Sequence, residues 1–119
     1  MNVDLEAPGF DRREYERLMG LITYQTKDYP RSAEHLAHAL RLGVQDPSLF
    51  YFYARTLSEL KQETEALEIL DQAPPTLWDN EAVWRLKLHL MYASQGPIKT
   101  YPVLELMIQR FPDQEDLRE

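Results

Sequence analysis

The chain has 119 residues, 13 of them basic and 20 acidic, for a formal charge of -7, and it contains no cysteine. That balance argues against nucleic acid, which demands clustered Lys and Arg, and it removes disulfides, thiolate catalysis and Cys-based zinc sites together. At 44% hydrophobic and 28% charged the chain has the composition of one folded domain; no apolar run nears the roughly 20 residues of a bilayer span, and MNVDLEAPGF at the start lacks the basic and apolar stretches of a signal peptide. A cytoplasmic protein with no membrane insertion is therefore expected.

Helical signals dominate in chain order. After an extension over 1–10, Tyr15, Leu18, Met19, Leu21 and Ile22 recur at three and four, which predicts a helix over 11–25 with Asp11 as its cap. KDYPRSAEHLAHALRLG predicts a second helix, with Pro30 in its first turn and Gly43 past its end. A third opens at Asp46-Pro47 and carries its apolar pattern through Leu57 and Leu60. A short fourth, EALEILDQA, ends at Pro74-Pro75, which cannot donate backbone hydrogen bonds. Asp79 or Asn80 can cap a fifth helix running to about Ser94, with Trp84, Leu88 and Met91 on its buried side. Gly96-Pro97 breaks it. The sixth, IKTYPVLELMIQR, carries Pro102 in or near its first turn and stops at Phe111-Pro112, leaving a polar tail over 113–119.

Six helices joined by short turns invite a test for self-similarity. Gly20 and Ala54, Ser32 and Ala66, Leu36 and Leu70, and Ala39 and Ala73 are all 34 residues apart. One more step of 34 carries Phe50 to Trp84, Leu57 to Met91 and Leu70 to Leu104. With Phe50 as the large aromatic, Tyr53-Ala54, Leu57, then Ala66, Leu70 and Ala73, residues 47–75 resemble the tetratricopeptide repeat, and residues 13–46 and 81–112 resemble it more loosely. In the first copy Glu16 replaces the large aromatic, and Tyr15 is expected to fill its space. The resemblance implies an all-α domain over 11–112 of three antiparallel hairpins, at 13–46, 47–80 and 81–112. These would form a short right-handed superhelix whose inner groove binds peptides or proteins.

Chemistry has little to work with. There is no nucleophile elbow, so no catalytic residue and no cofactor is expected. His35 and His38, beside Glu34, could share a face as metal ligands, but with no third ligand nearby they are expected to be solvated on the outer side. Glu63, Glu65 and Glu68 suit the start of a helix, where they complement its dipole.

The informative pattern is a stripe on the first helix of each hairpin. If Glu16/Phe50/Trp84, Gly20/Ala54/Leu88 and Thr23/Leu57/Met91 set the buried face, the next residue along lies about 100° away. Those residues are Arg17, Tyr51 and Arg85; Leu21, Arg55 and His89; Tyr24, Ser58 and Tyr92. The resemblance places this stripe in the concave groove, and it holds no acid. Tyr and Arg are the residues enriched at interface hot spots, so a protein or peptide partner bearing acidic or carboxylate groups is expected. Small acidic secretion chaperones of bacteria have this size and charge. A contrasting expectation is a structural segment of a longer solenoid acting edge to edge. On the sixth helix Val103, Leu106, Met107 and Ile108 suggest an apolar C-terminal edge covered by a second copy, a partner or further repeats.

Overall fold

The computed structural model describes residues 11–44 and 46–112, so the extension over 1–10 and the tail over 113–119 lie outside the described residues. The helical periodicity resolves into α1 (Arg12–Gln25), α2 (Tyr29–Arg41), α3 (Ser48–Glu59), α4 (Glu63–Asp71), α5 (Glu81–Gln95) and α6 (Pro97–Arg110). No strand occurs among the described residues. α1 packs on α2, α3 on α4 and α5 on α6, and the pairs join through α2 with α3 and α4 with α5. This is the all-α arrangement of helical hairpins implied by the repeat.

Local chemistry sets the boundaries. The Asp11 carboxylate accepts from the Arg13 amide at 2.9 Å, and Asn80 rather than Asp79 caps α5 by accepting from the Ala82 amide at 2.8 Å. The first two hairpins close through one and the same turn. Lys27 and Lys61, 34 residues apart, hold φ of 65° and 63°. Beside them Asp28 N–H donates to Thr23 C=O and Gln62 N–H to Leu57 C=O, both at 2.8 Å. The third hairpin turns instead at Gly96, with φ of 85°.

Three expectations about the elements need correction. α4 starts at Glu63, two residues early, and a 3-10 turn over Pro75–Asp79 fills the link to α5. Pro75 begins that turn, and buried Leu77 anchors it. Pro102 is the sixth residue of α6, past the first turn, because Pro97 already starts the helix. It lies exposed, next to the almost fully exposed Ile98, whose carbonyl loses its helical donor. On α5 the fully buried residues are Val83 and Leu90, while Trp84, Leu88 and Met91 are half-buried. α5 docks backwards onto the second hairpin with Val83 and Leu90, and among the described residues no further hairpin lies against the face carrying Leu88 and Met91.

The core lies at the junctions between hairpins. Leu36, Ala39 and Leu49 form one cluster, and Ala54, Leu57, Ala66, Leu70, Leu77, Val83 and Leu90 form another. Each fully buried Leu contributes about 2 kcal/mol and an exposed ion pair under about 1 kcal/mol, so junction packing holds the stack. Small residues permit it: a Cβ on Gly20 would stand 2.4 Å from Leu36 Cδ2. At the same crossing the buried Ser32 hydroxyl donates to the Gly20 carbonyl at 2.8 Å.

Candidate protein-binding groove

Hairpin stacking sets α3 and α5 side by side, and their stripe residues converge. Tyr51, Arg55 and Ser58 from α3 and Arg85 and His89 from α5 line one cleft of about 310 Å³. Glu59, Ala82 and Leu86 complete the lining. The nine stripe residues hold no acid, but the cleft also takes in Glu59 from outside the stripe. Glu59 lies four residues after Arg55, on the same helix face, and that spacing was the available signal.

An aromatic floor orients Arg55. Its guanidinium stands 5.8 Å from the ring centres of both Tyr24 and Tyr51, and Nη1 donates to the Tyr51 hydroxyl at 3.4 Å. Tyr24 in turn packs edge-on against Phe52 at 5.4 Å and Tyr29 at 5.9 Å. Partial burial alone would lower the Arg55 pKa, but the neighbouring Tyr24 and Tyr51 oxygens outweigh it and raise the pKa above its ordinary value. Burial pushes the Tyr24 phenol upward, against the opposing pull of Arg55. Arg55 thus stays cationic and Tyr24 neutral.

The remaining predicted groove residues divide. Arg17 is drawn into an ion pair with Glu14 and lies 3.9 Å from Asp46, with 26% of its side chain exposed. The α1 end of the stripe thus already carries acids of the chain's own beside Arg17. Leu21 is half-buried and packs against the first core cluster. Tyr24 reaches the cleft only through Arg55. Tyr92, 62% exposed, stands beyond the cleft lining on α5.

Glu16, His35 and His38 form a contact that their expected roles did not include, although His38 is exposed as expected. The Glu16 side chain is only 5% exposed, and its two oxygens each lie 2.8 Å from an Nδ1, one from His35 and one from His38. Glu16 itself occupies the aromatic position, and the two imidazoles reach it from α2 while keeping 20% (His35) and 47% (His38) of their side chains exposed. Tyr15 is not the filler of that position: it is half-buried, edge-on to the His35 ring at 6.1 Å. No group of three or more His, Asp or Glu among the described residues is arranged to hold a metal ion. On α6, Met107 is fully buried and is not a surface residue of the C-terminal edge, whereas Leu106 is 55% exposed and Val103 and Ile108 are half-buried. No helix among the described residues is long and apolar enough to cross a membrane.

Stacked hairpins with a side-chain groove across their first helices define a helical-repeat interaction module. A tetratricopeptide repeat model matches residues 24–90, more than half of the chain, and the chain belongs to the tetratricopeptide repeat family. Members of that family act as protein-protein interaction modules. No curated protein matches the chain in sequence.

Proposed function

We propose that the chain is a non-catalytic module that holds a carboxylate-bearing peptide or protein segment in the cleft between α3 and α5. The observation that carries this reading is the convergence of Arg55 and Arg85 from two hairpins on one cleft, flanked by Tyr51 and His89. Two guanidiniums give charge-assisted hydrogen bonds of the kind carboxylates accept bidentately. The stacking of Arg55 on Tyr24 and Tyr51 reduces the side-chain freedom it loses on binding. The narrower reading as a bacterial secretion chaperone is supported by size and charge alone.

The test uses fluorescent peptides with paired Glu residues among neutral ones, and the same peptides with Gln in place of Glu. Anisotropy titration should show binding only of the Glu set. Replacing both Arg55 and Arg85 by Glu should weaken it by about 2 kcal/mol or more, roughly 30-fold. Equal binding of Glu and Gln peptides, or full binding by the double variant, would place the partner elsewhere. Capture of a client from the native host, with the double variant as control, extends the same test to the chaperone reading.

A further inference from the structure

The 34-residue register repeats a docking face as well as the small residues. On α3 that face is Leu49, Phe52 and Thr56, and on α5 it is Val83, Leu86 and Leu90. Leu49, Thr56, Val83 and Leu90 are all fully buried, where α3 meets α2 and α5 meets α4. The same register on α1 falls on Tyr15, Leu18 and Ile22. There Leu18 is 43% and Ile22 50% exposed, because no second helix of a preceding hairpin lies against them among the described residues.

The receiving face shows the converse at the other end. Leu36 on α2 and Leu70 on α4 are fully buried, whereas Leu104, their equivalent on α6, is only half-buried. Ala33 and Leu67 are half-buried, and their equivalent Tyr101 is 61% exposed. Ile108 continues the series of Leu40 and Pro74. Leu106 does not belong to this face: it follows His38 and Gln72, which point to solvent within the chain's own hairpins. The molecule therefore carries both halves of a junction that it already makes twice internally.

We propose that copies of this chain associate head to tail, with Tyr15, Leu18 and Ile22 of one copy docking on Tyr101, Leu104 and Ile108 of the next. The occupant follows from the register, since the surface that fits this face on α3 and α5 is the second helix of this chain's own hairpin. Charge agrees with it. Helices at the internal junctions follow each other through short turns, so the end of α6 would meet the start of α1. α1 opens with Arg12 and Arg13, both exposed, although Arg13 also pairs with Asp11. The sequence following α6, DQEDLRE, holds four acids against one arginine. Such a contact uses two different surfaces, so it does not close on a pair and extends to longer chains.

Sedimentation velocity from micromolar to millimolar protein should show a mass that climbs past the dimer, and less so in high salt. Ile22→Glu and Tyr101→Glu change exposed positions on opposite edges, so each variant should keep its helical circular dichroism and sediment as a monomer. Mixed one to one, the two variants should form a dimer and nothing larger, because each supplies the edge that the other lacks. If either loses its helical signal, Leu18→Gln or Tyr101→Ser takes its place in the same mixture. A monomeric wild type throughout overturns the proposal. So does a dimer that survives Ile22→Glu alone, which would mean a symmetric contact through α6, or a mixture that stays monomeric.

Discussion

Replacing Gly20 by Ala sets two known effects against each other at the crossing of α1 and α2. In an exposed helix interior the change would stabilise by about 1 kcal/mol through helix propensity. Here the new methyl would lie 2.4 Å from Leu36 Cδ2 and 2.7 Å from Cγ, well inside the roughly 3.5 Å of carbon–carbon contact. The short distance to Cγ means that the whole Leu36 side chain must shift, and it is fully buried with Ala39 and Leu49 around it. Overpacking of this kind costs about 1 to 3 kcal/mol. Moving the helices apart instead stretches the bond from the Ser32 hydroxyl to the Gly20 carbonyl, worth about 1 kcal/mol. The clash outweighs the propensity gain, and Gly20→Ala should destabilise by up to about 2 kcal/mol in urea unfolding followed by circular dichroism.

The partner change makes the test specific. Leu36→Ala alone should cost about 2 to 5 kcal/mol through the cavity it leaves. In the Gly20→Ala background the atoms that clash are gone, so the double variant should be more stable than additivity allows by about 1 kcal/mol or more. A Gly20→Ala variant more stable than the wild type, or a strictly additive pair, would show that the α1–α2 crossing is looser than described.

Two further outcomes follow from buried and rim charges. His35→Ala with His38→Ala strands a carboxylate that is 5% exposed and should cost about 3 to 5 kcal/mol. Glu16→Ala merely releases two imidazoles that already reach solvent and should cost about 1 to 2 kcal/mol; urea unfolding that reversed this order would show that the carboxylate is not the constraint. Glu59→Gln removes the acid beside Arg55 and should tighten a Glu-bearing peptide by about 0.5 to 1 kcal/mol, roughly two- to fivefold, with thermal stability unchanged because Glu59 is exposed. Weakened binding would instead mean that Glu59 holds a cation of the ligand.

Periodicity made the helices and their pairing legible, because apolar spacing and small residues 34 apart report directly on which faces touch. What it could not report is which neighbour is present. α5 carries two apolar faces, Val83 with Leu90 and Leu88 with Met91, and only the stacking order decides which one is buried. Met107 looked like an edge residue because α6 is apolar around much of its circumference, yet it points into its own hairpin and is fully buried. Glu16 was misread for a different reason. A single acid at an aromatic position is uninterpretable until His35 and His38, 19 and 22 residues further on, arrive from α2 to hydrogen-bond it. The four positive-φ turns divide likewise: Gly43 and Gly96 advertise positive φ, whereas Lys27 and Lys61 adopt it without any sequence sign beyond their matching register.

The same logic explains why the two ends of the stripe differ. At its α1 end the fold consumes it, Arg17 by Glu14 and Asp46, Leu21 by the first core cluster, and Tyr24 by Tyr29, Phe52 and Arg55. At the α3–α5 end Arg55, Arg85 and His89 face one open cleft. In a head-to-tail stack, α1 of the next copy would stand beside α5 as α5 stands beside α3. By the same 34-residue register, Arg85, His89 and Tyr92, the last now 62% exposed, would then face that copy's Glu14, Arg17 and Leu21 across a second cleft. A partner segment running along such an assembly would meet, in alternation, a cleft of two arginines and one in which Glu14 pairs with Arg17, so carboxylates spaced by neutral residues would be favoured over an unbroken acidic run. Assembly and binding would accordingly strengthen each other for long segments and be independent for short ones, since only a segment spanning both clefts touches two copies at once.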